Sequence, residues 1–216
     1  MDTDFIVKHL HSPTDAQVDH MVALADRAYG QNHPSQKAMV GGDWSLHPIL
    51  LRAMLRAGAL EDVIYVVMNK HTEEIVTVSL WFPPGRQLFS TDDQKALGFN
   101  DFMTKISPEA KKWWSTTYVT LLRDFRRDIF SDEEGTRRWW CPWFTTDPNF
   151  QQRGFGTALI TTIYNKAALH GGFLGLMTDR EVNVPKYLAM GFGIRGRINA
   201  DAPTGDFPVI CLTREH

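Results

Sequence analysis

The sequence predicts an α+β domain with one mixed β-sheet. Short alternating or β-branched runs, which are typical of strands, are interspersed with longer segments whose apolar residues recur at helical spacing. Along the 216 residues the predicted order is βααββ(α)βαβαββ, and hydrophobic residues make up 43% of the chain, enough for a sizeable core. The chain contains no Pro- or Ser-rich linker, charge block or internal repeat, so we expect residues 1–216 to form a single domain.

In the first half of the chain, strands are predicted at residues 4–10, 62–69 and 75–82, and the turn "HTEE" joins the last two as a hairpin. Helices are predicted at about 15–29 and 45–59. The first helix follows Thr14 and Gln17, which have the spacing of a capping box. The polar stretch "GQNHPSQKAMVGGD" between the two helices predicts a loop.

A helical segment at about 88–132 is inserted before the next strand. Thr91 and Gln94 again have capping-box spacing, and Ser107-Pro108 is typical of an N-cap followed by proline at the first helical position. One long apolar stripe follows at helical spacing. It consists of Trp114, Tyr118, Leu121, Leu122, Phe125 and Ile129.

The second half continues with a strand at 137–146, whose internal Pro142 removes one backbone donor from the ladder. A helix at about 154–170, a strand at 172–179 and a short helix at 184–190 follow. Strands at 192–200 and 207–215 close the chain, so the central sheet has about seven strands.

Charge and cysteine content exclude several classes of protein. Lys plus Arg total 23 and Asp plus Glu total 25, a net charge of -2 that favours neither nucleic-acid binding nor a polybasic membrane surface. The two cysteines, Cys141 and Cys211, are expected to be reduced thiols of a cytosolic protein. The N-terminus does not resemble a signal peptide, and no run approaches the roughly 18 apolar residues of a membrane span. We therefore expect a cytoplasmic protein with no membrane or nucleic-acid partner.

Two glycines stand where a helix is about to begin, in "PNFQQRGFGTALI" at residues 148–160. The first turn of a helix has unpaired N–H groups and a positive dipole end, so bare backbone there suits an anion such as a pyrophosphate. A tight strand-to-helix turn that binds nothing is the alternative. No Lys follows Gly156, which argues against a Walker A loop, and Leu159 occupies the third glycine position of a dinucleotide fingerprint.

Three short motifs resemble the GNAT N-acetyltransferases. The stretch from Gln151 to Gly156 resembles the acyl-CoA signature Q/R-x-x-G-x-G/A of that family. Thr146-Asp147-Pro148 resembles its "V-D-P", and the stretch from Tyr187 to Phe192 resembles its "Y-E-K-L-G-F". The element order matches over nearly the whole chain. Within the family, "SLWFPPG" and "EVNVPKYLAMGF" are similar to segments of the puromycin N-acetyltransferases and their relatives, which also carry extra helices at the position of the insertion.

The resemblance implies a GNAT-like fold, with a mixed, mostly antiparallel sheet flanked by helices, and acetyl-CoA as the acyl-donor cosubstrate. It implies that acetyl is moved to a small-molecule primary amine by direct attack, without a covalent enzyme intermediate. Tyr187 matches the family tyrosine that protonates the leaving thiolate, and Asn183 matches a side chain that contacts the CoA arm. The other residues that it implies for CoA binding are Phe144, Thr145 and Thr146 beside the pantetheine, and Gln151, Gln152, Arg153, Gly154, Phe155, Gly156 and Thr157 around the pyrophosphate.

The general base is harder to find in the sequence. Asp179 and Glu181 follow a predicted strand, where either could deprotonate the acceptor, but surface or capping roles are the alternative for both. Cys141 has no neighbouring His and is expected to be an inert buried thiol. His9 and His11 alternate on the first strand as a metal pair would, but a solvent-facing strand edge is the favoured interpretation and no cluster of Asp, Glu or Cys supports a metal, so we expect none.

The aromatic clusters at 81–82, 113–114 and 139–143 are by default buried core. Because the resemblance implies that the end of the central strand and the inserted helices border the acceptor groove, they also suggest an aromatic or apolar acceptor amine. The sequence is compatible with a monomer or a homodimer. A different class of function stays open: a non-catalytic, GNAT-like domain that binds acyl-CoA as a sensor or scaffold.

Overall fold

A computed structural model describes residues 3–31 and 33–215. These residues form one seven-stranded sheet in the order β1-β2-β3-β4-β5-β7-β6. All neighbouring strands are antiparallel except β4 and β5, which are parallel, so the predicted mixed and mostly antiparallel sheet is confirmed. The strands are β1 Phe5–His9, β2 Ile64–Asn69, β3 Ile75–Phe82, β4 Arg138–Thr146, β5 Phe173–Thr178, β6 Gly193–Ala200 and β7 Phe207–Arg214.

Helices cover both faces of this sheet. The α-helical segments of the described residues are α1 Asp15–Tyr29, α2 Pro34–Met39, α3 His47–Leu60, α4 Asp92–Gln94, α5 Asn100–Lys105, α6 Pro108–Lys112, α7 Val119–Ile129, α8 Asp132–Gly135, α9 Phe155–Ala168 and α10 Val184–Ala189. Short 3-10 turns lie at Trp44–Leu46, Pro148–Phe150 and Glu181–Asn183. Within the described ranges, none of these helices is long and apolar enough to cross a membrane.

The alternation of side chains along the central strands explains the layers. On β2, Val66 packs with α1 and α3 on one face, whereas Val67 packs with α9 on the other. Because the central strands are apolar on both faces, α1 and α3 pack on one face of the sheet and α9 packs on the other. A third cluster forms where α7 packs on β6 and β7, and there Gly196 leaves room for the rings and methyls of Phe125 and Ile129.

Helix α1 begins where its capping box predicts. The Thr14 side chain accepts a hydrogen bond from the Gln17 N–H, and the Gln17 side chain accepts one from the Thr14 N–H at 3.0 Å. The stretch predicted as a loop after α1 instead contains α2, which starts with Pro34 at its first position. In α2, Gln36 is only 8% exposed. Polar residues of this stretch, which suggested a surface loop, are therefore buried.

The inserted segment is helical, as predicted, but it is not one regular helix. The chain kinks at Gly98, where φ is +130°. A π-helical turn, Trp113–Tyr118, separates α6 from α7. The predicted apolar stripe therefore begins in π-helical geometry and continues in the α-helical geometry of α7. The indole N–H of Trp113 donates to the Asp201 carbonyl and that of Trp114 donates to the Met39 carbonyl, both at 2.7 Å. These bonds attach the inserted segment to the loop between β6 and β7 and to the end of α2.

The parallel pair β4 and β5 separates halfway along its length. Pairing extends only from Arg138 beside Phe173 to Cys141 beside Leu176, although β4 continues to Thr146. Pro142 follows Cys141 directly and has no N–H to donate. The sheet is therefore open between the ends of β4 and β5, and this opening places backbone groups of β4 at the edge of a cavity.

Candidate active site

A cavity of about 130 Å³ lies at this opening. The space is far larger than the roughly 10–15 Å³ that one water molecule needs. Five parts of the chain enclose it: the end of α1 with α2, the π-turn of the inserted segment, the separated ends of β4 and β5, α10 with its preceding turn, and the start of β7. Its lining includes Tyr29, His33, Ser35, Gln36, Met39, Tyr118, Cys141, Pro142, Trp143, Phe144, Leu176, Met177, Thr178, Asp179, Asn183, Tyr187, Phe207 and Val209.

Asp179 is a charged group buried at this cavity, with a side chain only 9% exposed. Its Oδ2 lies 3.0 Å from Nδ1 of His33, whose side chain is also 9% exposed, and accepts a hydrogen bond of 2.9 Å from the Ser35 N–H. Burial by itself would raise the pKa of Asp179, but His33 and Ser35 outweigh it, so the pKa lies below its usual value. Asp179 is therefore ionised at neutral pH.

Two buried nitrogen atoms of the cavity wall lack an aligned hydrogen-bond partner among the described residues. They are Nδ1 of His33, which is close to Asp179 but poorly aligned with it, and Nε1 of Trp143. The hydroxyl of Tyr29 neighbours the indole of Trp143, and burial first, then Tyr187 and Asp179, raise the pKa of Tyr29 well above its usual value. Since unmet buried polar atoms are costly, the wall is suited to a ligand that carries a polar group.

A series of hydrogen-bonded side chains, Asp26, His47 and Gln36, extends from the cavity wall into the core. Nδ1 of the fully buried His47 lies 2.7 Å from Oδ1 of Asp26, and its Nε2 lies 3.2 Å from Oε1 of Gln36. Burial lowers the pKa of His47, with Asp26 acting in the opposite direction. Gln36 thus reaches the cavity with its amide oriented by a side chain that is itself fixed.

Tyr187 lies on α10, and its ring packs edge-on against Phe192 with centroids 5.8 Å apart. Burial raises the pKa of Tyr187, and the nearby Cys141 and Asp179 raise it further. Its phenol is therefore protonated at neutral pH. Of the three predicted catalytic side chains, Tyr187 and Asp179 meet at the same cavity.

Glu181, the third, is placed elsewhere. Its side chain is 61% exposed and forms an ion pair with Arg197 of β6, and it is not part of the cavity lining described above. Asn183 does line the cavity, and its Nδ2 donates to the Thr178 hydroxyl at 3.4 Å. Thr178 in turn ends β5, so Asn183 is held beside the opening of the sheet.

The glycine-rich loop leads directly into α9. Gly154 is the N-cap, with φ of +78° in the left-handed region, where a side chain would be strained. Gly156 has a different requirement, since a Cβ there would lie 3.0 Å from Cζ of Phe144 on β4. The first turn of α9 therefore approaches β4 closely while its N–H groups have no side-chain cap. Gln151, Gln152 and Arg153 are exposed beside it.

The start of this loop is tied to α1. Asp147 is 7% exposed in its side chain, accepts the Asn149 N–H at 2.9 Å and forms a 2.6 Å ion pair with Arg27. Burial would raise the pKa of Asp147, but Arg27 and Asn149 lower it below its usual value. Next to it, the Thr146 hydroxyl bonds to Thr77 of β3 at 3.0 Å, and Thr145 is buried.

The inserted helices contribute less to the cavity than the apolar stripe suggests. Of the stripe, Tyr118 lines the cavity, whereas Trp114 packs against the α1–α3 cluster and Phe125 against the α7 cluster. Trp143 of β4 lines the cavity, and Trp139 packs under α9 instead.

Cys141 reaches the same cavity wall. Its thiol donates a hydrogen bond of 3.2 Å to the Trp143 carbonyl, and burial raises the pKa of the thiol well above its usual value. It is therefore a protonated, unreactive group at neutral pH, as its sequence context predicts.

Sequence reasoning missed His33, Gln36 and Tyr29. All three lie in or beside the stretch predicted as a loop. A histidine in a polar segment carries no signal that a carboxylate from the end of β5 will approach it. The "NHP" tripeptide, with Pro34 at a helix start, is the one local hint of α2.

The arrangement of β4, β5 and α9 defines a fold class, that of the GNAT N-acetyltransferases. No protein-family model matches the chain, and no curated protein matches it by sequence. Solved structures do match over nearly its whole length. A Drosophila melanogaster polyamine N-acetyltransferase has a TM-score of 0.62 at 11% identity, covering 99% of this chain and all of the other.

Two further structures give the same result. Arylalkylamine N-acetyltransferase 2 from Aedes aegypti has a TM-score of 0.60 at 15% identity, covering 97% of this chain and 98% of its own. A structure described as a histone acetyltransferase and related acetyltransferase, from Corynebacterium glutamicum, has a TM-score of 0.60 at 17% identity and covers 99% of this chain and 97% of its own. The chain therefore has the GNAT fold, as predicted; the puromycin-type relationship stays a prediction.

Proposed function

We propose that the protein is an N-acetyltransferase that moves acetyl from acetyl-CoA to a small-molecule primary amine by direct attack. One observation carries this proposal above the others: the separated ends of β4 and β5 open a cavity in which a buried ionised carboxylate, an imidazole and a protonated phenol meet. These are the groups that amine deprotonation and thiolate protonation require.

Acetyl-CoA would bind along the opening of the sheet. Phe144, Thr145 and Thr146 pair with β3 on one side, but β5 does not pair with them on the other. Backbone groups on that open side of β4 suit the amide groups of the pantetheine arm, and Asn183 lines the same cavity as Phe144. The N–H groups from Gly154 to Thr157 suit the pyrophosphate, because Gly154 adds no side chain to cover them. Gln151, Gln152 and the cation Arg153, whose guanidinium lies 5.0 Å over the Phe150 ring, complete this site.

The His33–Asp179 pair supplies a base for the acceptor amine. Asp179 would hold the imidazole and attract the ammonium, and His33 would take the proton that the ammonium must lose before attack. The neutral amine nitrogen would attack the thioester carbon. As the tetrahedral intermediate collapses, the C–S bond breaks, Tyr187 would give its proton to the departing thiolate, and the remaining extra proton on the new amide nitrogen would return to the Tyr187 oxygen. A phenol that stays protonated at neutral pH fits this role.

Direct attack is favoured over a covalent intermediate. The only thiol of the cavity lining described here, Cys141, is kept protonated by its burial. An acyl-enzyme formed on Cys141 would need its thiolate.

The acceptor would be an amine with one positive charge and an apolar or aromatic body. Tyr29, Met39, Tyr118 and Phe207 supply the apolar walls. Asp179 is the only carboxylate in the described lining, so one ammonium can be neutralised there. The structural relatives named above act on polyamines and arylalkylamines; the second class fits this cavity better.

The alternative function, a sensor or scaffold that holds acyl-CoA without turnover, rested on the lack of a base in the sequence. His33, 3.0 Å from Asp179, provides a candidate base and so favours the enzyme. A cavity built only to hold acyl-CoA would not need a buried acid–base pair next to the thioester position.

A thiol-release assay with acetyl-CoA decides between the two. We expect release that depends on an added amine, tested with a panel of arylalkylamines, polyamines, amino acids and aminoglycoside-type antibiotics. The same protein is tested for acetyl-CoA binding by calorimetry. Binding without amine-dependent release from any member of the panel would support the sensor, and no binding would overturn both.

A further inference from the structure

A cluster of three metal-ligating side chains lies outside the cavity. His9 at the end of β1 and His11 just beyond it face Asp62, which follows α3 in the turn to β2. One ligand atom from each residue lies within 4.8 Å of the other two. We propose that His9, His11 and Asp62 form a binding site for a divalent transition metal, with two imidazole nitrogens and one carboxylate oxygen as ligands.

The distances suit a metal ion. Oδ1 of Asp62 lies 2.7 Å from Nδ1 of His11 and 3.4 Å from Nε2 of His9. Zinc binds such ligands at about 2.0–2.2 Å, which places neighbouring ligand atoms of a tetrahedron roughly 3.3 Å apart. Small rotations of the side chains would therefore make room for an ion, which would replace the hydrogen bond between His11 and Asp62.

The ligands are also held in place before any metal arrives. The His9 ring stacks on Tyr65 with centroids 4.3 Å apart and an interplanar angle of 11°. The Tyr65 hydroxyl accepts a hydrogen bond of 2.7 Å from Lys166. Asp62 is fixed in the left-handed region, with φ of +52°, and its N–H donates to the Ala59 carbonyl at 3.1 Å. Such outer contacts orient metal ligands and raise affinity.

The ligand types and their exposure to solvent indicate which class of metal ion would bind. Imidazole and carboxylate ligands favour zinc, nickel, cobalt and copper over calcium and magnesium, which prefer all-oxygen sites. The side chains of His11 and Asp62 are 65% and 54% exposed, so an ion reaches them from solvent and water completes its coordination. The carbonyl of Asp62, now 2.9 Å from Nε2 of His9, is a further oxygen at the site.

The site is independent of the proposed acetyl transfer. β1 is separated from β4 by β2 and β3, which places the cluster about 14 Å from the opened strand at the usual strand spacing. A bound ion would connect the edge strand β1 to the turn after α3, so its role would be to stabilise this edge.

The test uses the full chain without a histidine tag, freed of metal with a chelator and titrated with Zn²⁺ in a calorimeter. We expect one equivalent to bind. His11→Ala and Asp62→Asn should weaken binding by roughly 100-fold, and neither should disturb folding, because His11 is exposed and Asn tolerates a positive φ.

His71→Ala is the matched control, since His71 is an exposed histidine 3.7 Å from a single carboxylate, that of Asp4. It should bind zinc like the wild type. Titration with Co²⁺ adds a spectroscopic signature: d–d absorption bands should appear in the wild type and in His71→Ala but not in His11→Ala. Wild-type protein that binds no zinc at micromolar concentrations, or His11→Ala that binds as tightly as the wild type, would overturn the proposal.

Discussion

Asp179 of the loop after β5 lies 3.0 Å from His33 and also accepts the Ser35 N–H, so one carboxylate both pairs with the candidate base and caps the first turn of α2. The cap that α2 lacks locally therefore comes from the far end of the chain. The stability of α2 and the chemistry of the cavity depend on the same side chain.

We expect His33→Gln to lower kcat by about 10²–10⁴-fold, the usual contribution of a general base. KM for acetyl-CoA should change little, because His33 would act on the amine and lies outside the glycine-rich turn where we propose that the CoA pyrophosphate binds. Steady-state kinetics with the best amine of the panel measure both constants. His20→Gln is the control, since His20 bonds to the Ile75 carbonyl away from the cavity. A kcat equal to that of the wild type would remove His33 from the proton path.

Asp179 should also make stability depend on pH. Its pKa in the folded protein lies below that of an unfolded Asp, about 3.9, so its ionised form stabilises the fold above that pH. This stabilisation is lost as the pH falls through the folded pKa. The free energy of unfolding of the wild type should exceed that of Asp179→Asn above about pH 5, and the difference should shrink below about pH 4.

Urea unfolding at a series of pH values measures this difference. Asp128→Asn, an exposed position on α7, is the control and should differ from the wild type by a small amount at every pH. A difference for Asp179→Asn that grows in acid would mean that the carboxylate is not held by His33 and Ser35.

Tyr187→Phe removes only the phenol oxygen and keeps the ring that packs against Phe192. We expect unchanged acetyl-CoA affinity and a kcat about 10²–10⁴-fold lower, because the leaving thiolate loses its acid. Calorimetry and thiol release measure the two quantities. Tyr164→Phe serves as the control, because Tyr164 is half-buried on α9 outside the cavity lining and the change likewise removes one phenol oxygen, which here bonds to the Glu215 carbonyl. Turnover at the wild-type rate would mean that water or another group protonates the thiolate.

Local signals were sufficient for most of the fold. The capping box of Thr14 and Gln17, the β-branched runs of β2 and β3, and the glycines before α9 act through neighbours in sequence, so their elements were found at nearly the right bounds. Helix α2 was missed because its cap, Asp179, is a tertiary contact. The π-turn that interrupts the inserted helix was missed because it accompanies long-range bonds from two indoles.

The candidate site divides in the same way. The residues from Gln151 to Thr157 and Tyr187 follow from local motifs, and the structure places them at the start of α9 and at the cavity. His33 could not be assigned, because its partner is remote in sequence. The same holds for Asp62, which the fold brings to His9 and His11. Sequence spacing alone pointed only to His9 and His11, and without Asp62 beside them a solvent-facing strand edge was the favoured interpretation.

Gly154→Asp should abolish acetyl-CoA binding or weaken it severely. The change places a carboxylate at the helix start where the pyrophosphate would lie, and like charges repel there. No heavy atom lies within 4 Å of the added Cβ, so a clash is not the cause. Gly85→Asp is the matched control, because Gly85 has nearly the same φ, +80°, and is also uncrowded. Equal affinity of wild type and Gly154→Asp in calorimetry would contradict an anion site at this turn.

The acceptor preference follows from the composition of the cavity wall. Asp179 is the one carboxylate of the described lining, so we expect the cavity to neutralise one ammonium, and Tyr29, Met39, Tyr118 and Phe207 provide apolar or aromatic surface for the rest of the amine. An arylalkyl monoamine should therefore have a kcat/KM at least about tenfold higher than spermine, whose further ammonium groups would be buried without partners. Tyr118→Ala should raise KM for the arylalkylamine more than it lowers kcat, because it removes wall area and no proton-transfer group. Leu121→Ala, on the same helical stripe but outside the described lining, is the control and should leave KM unchanged. A kcat/KM for spermine well above that of every aromatic or apolar amine would show that charge, and not the apolar wall, selects the acceptor.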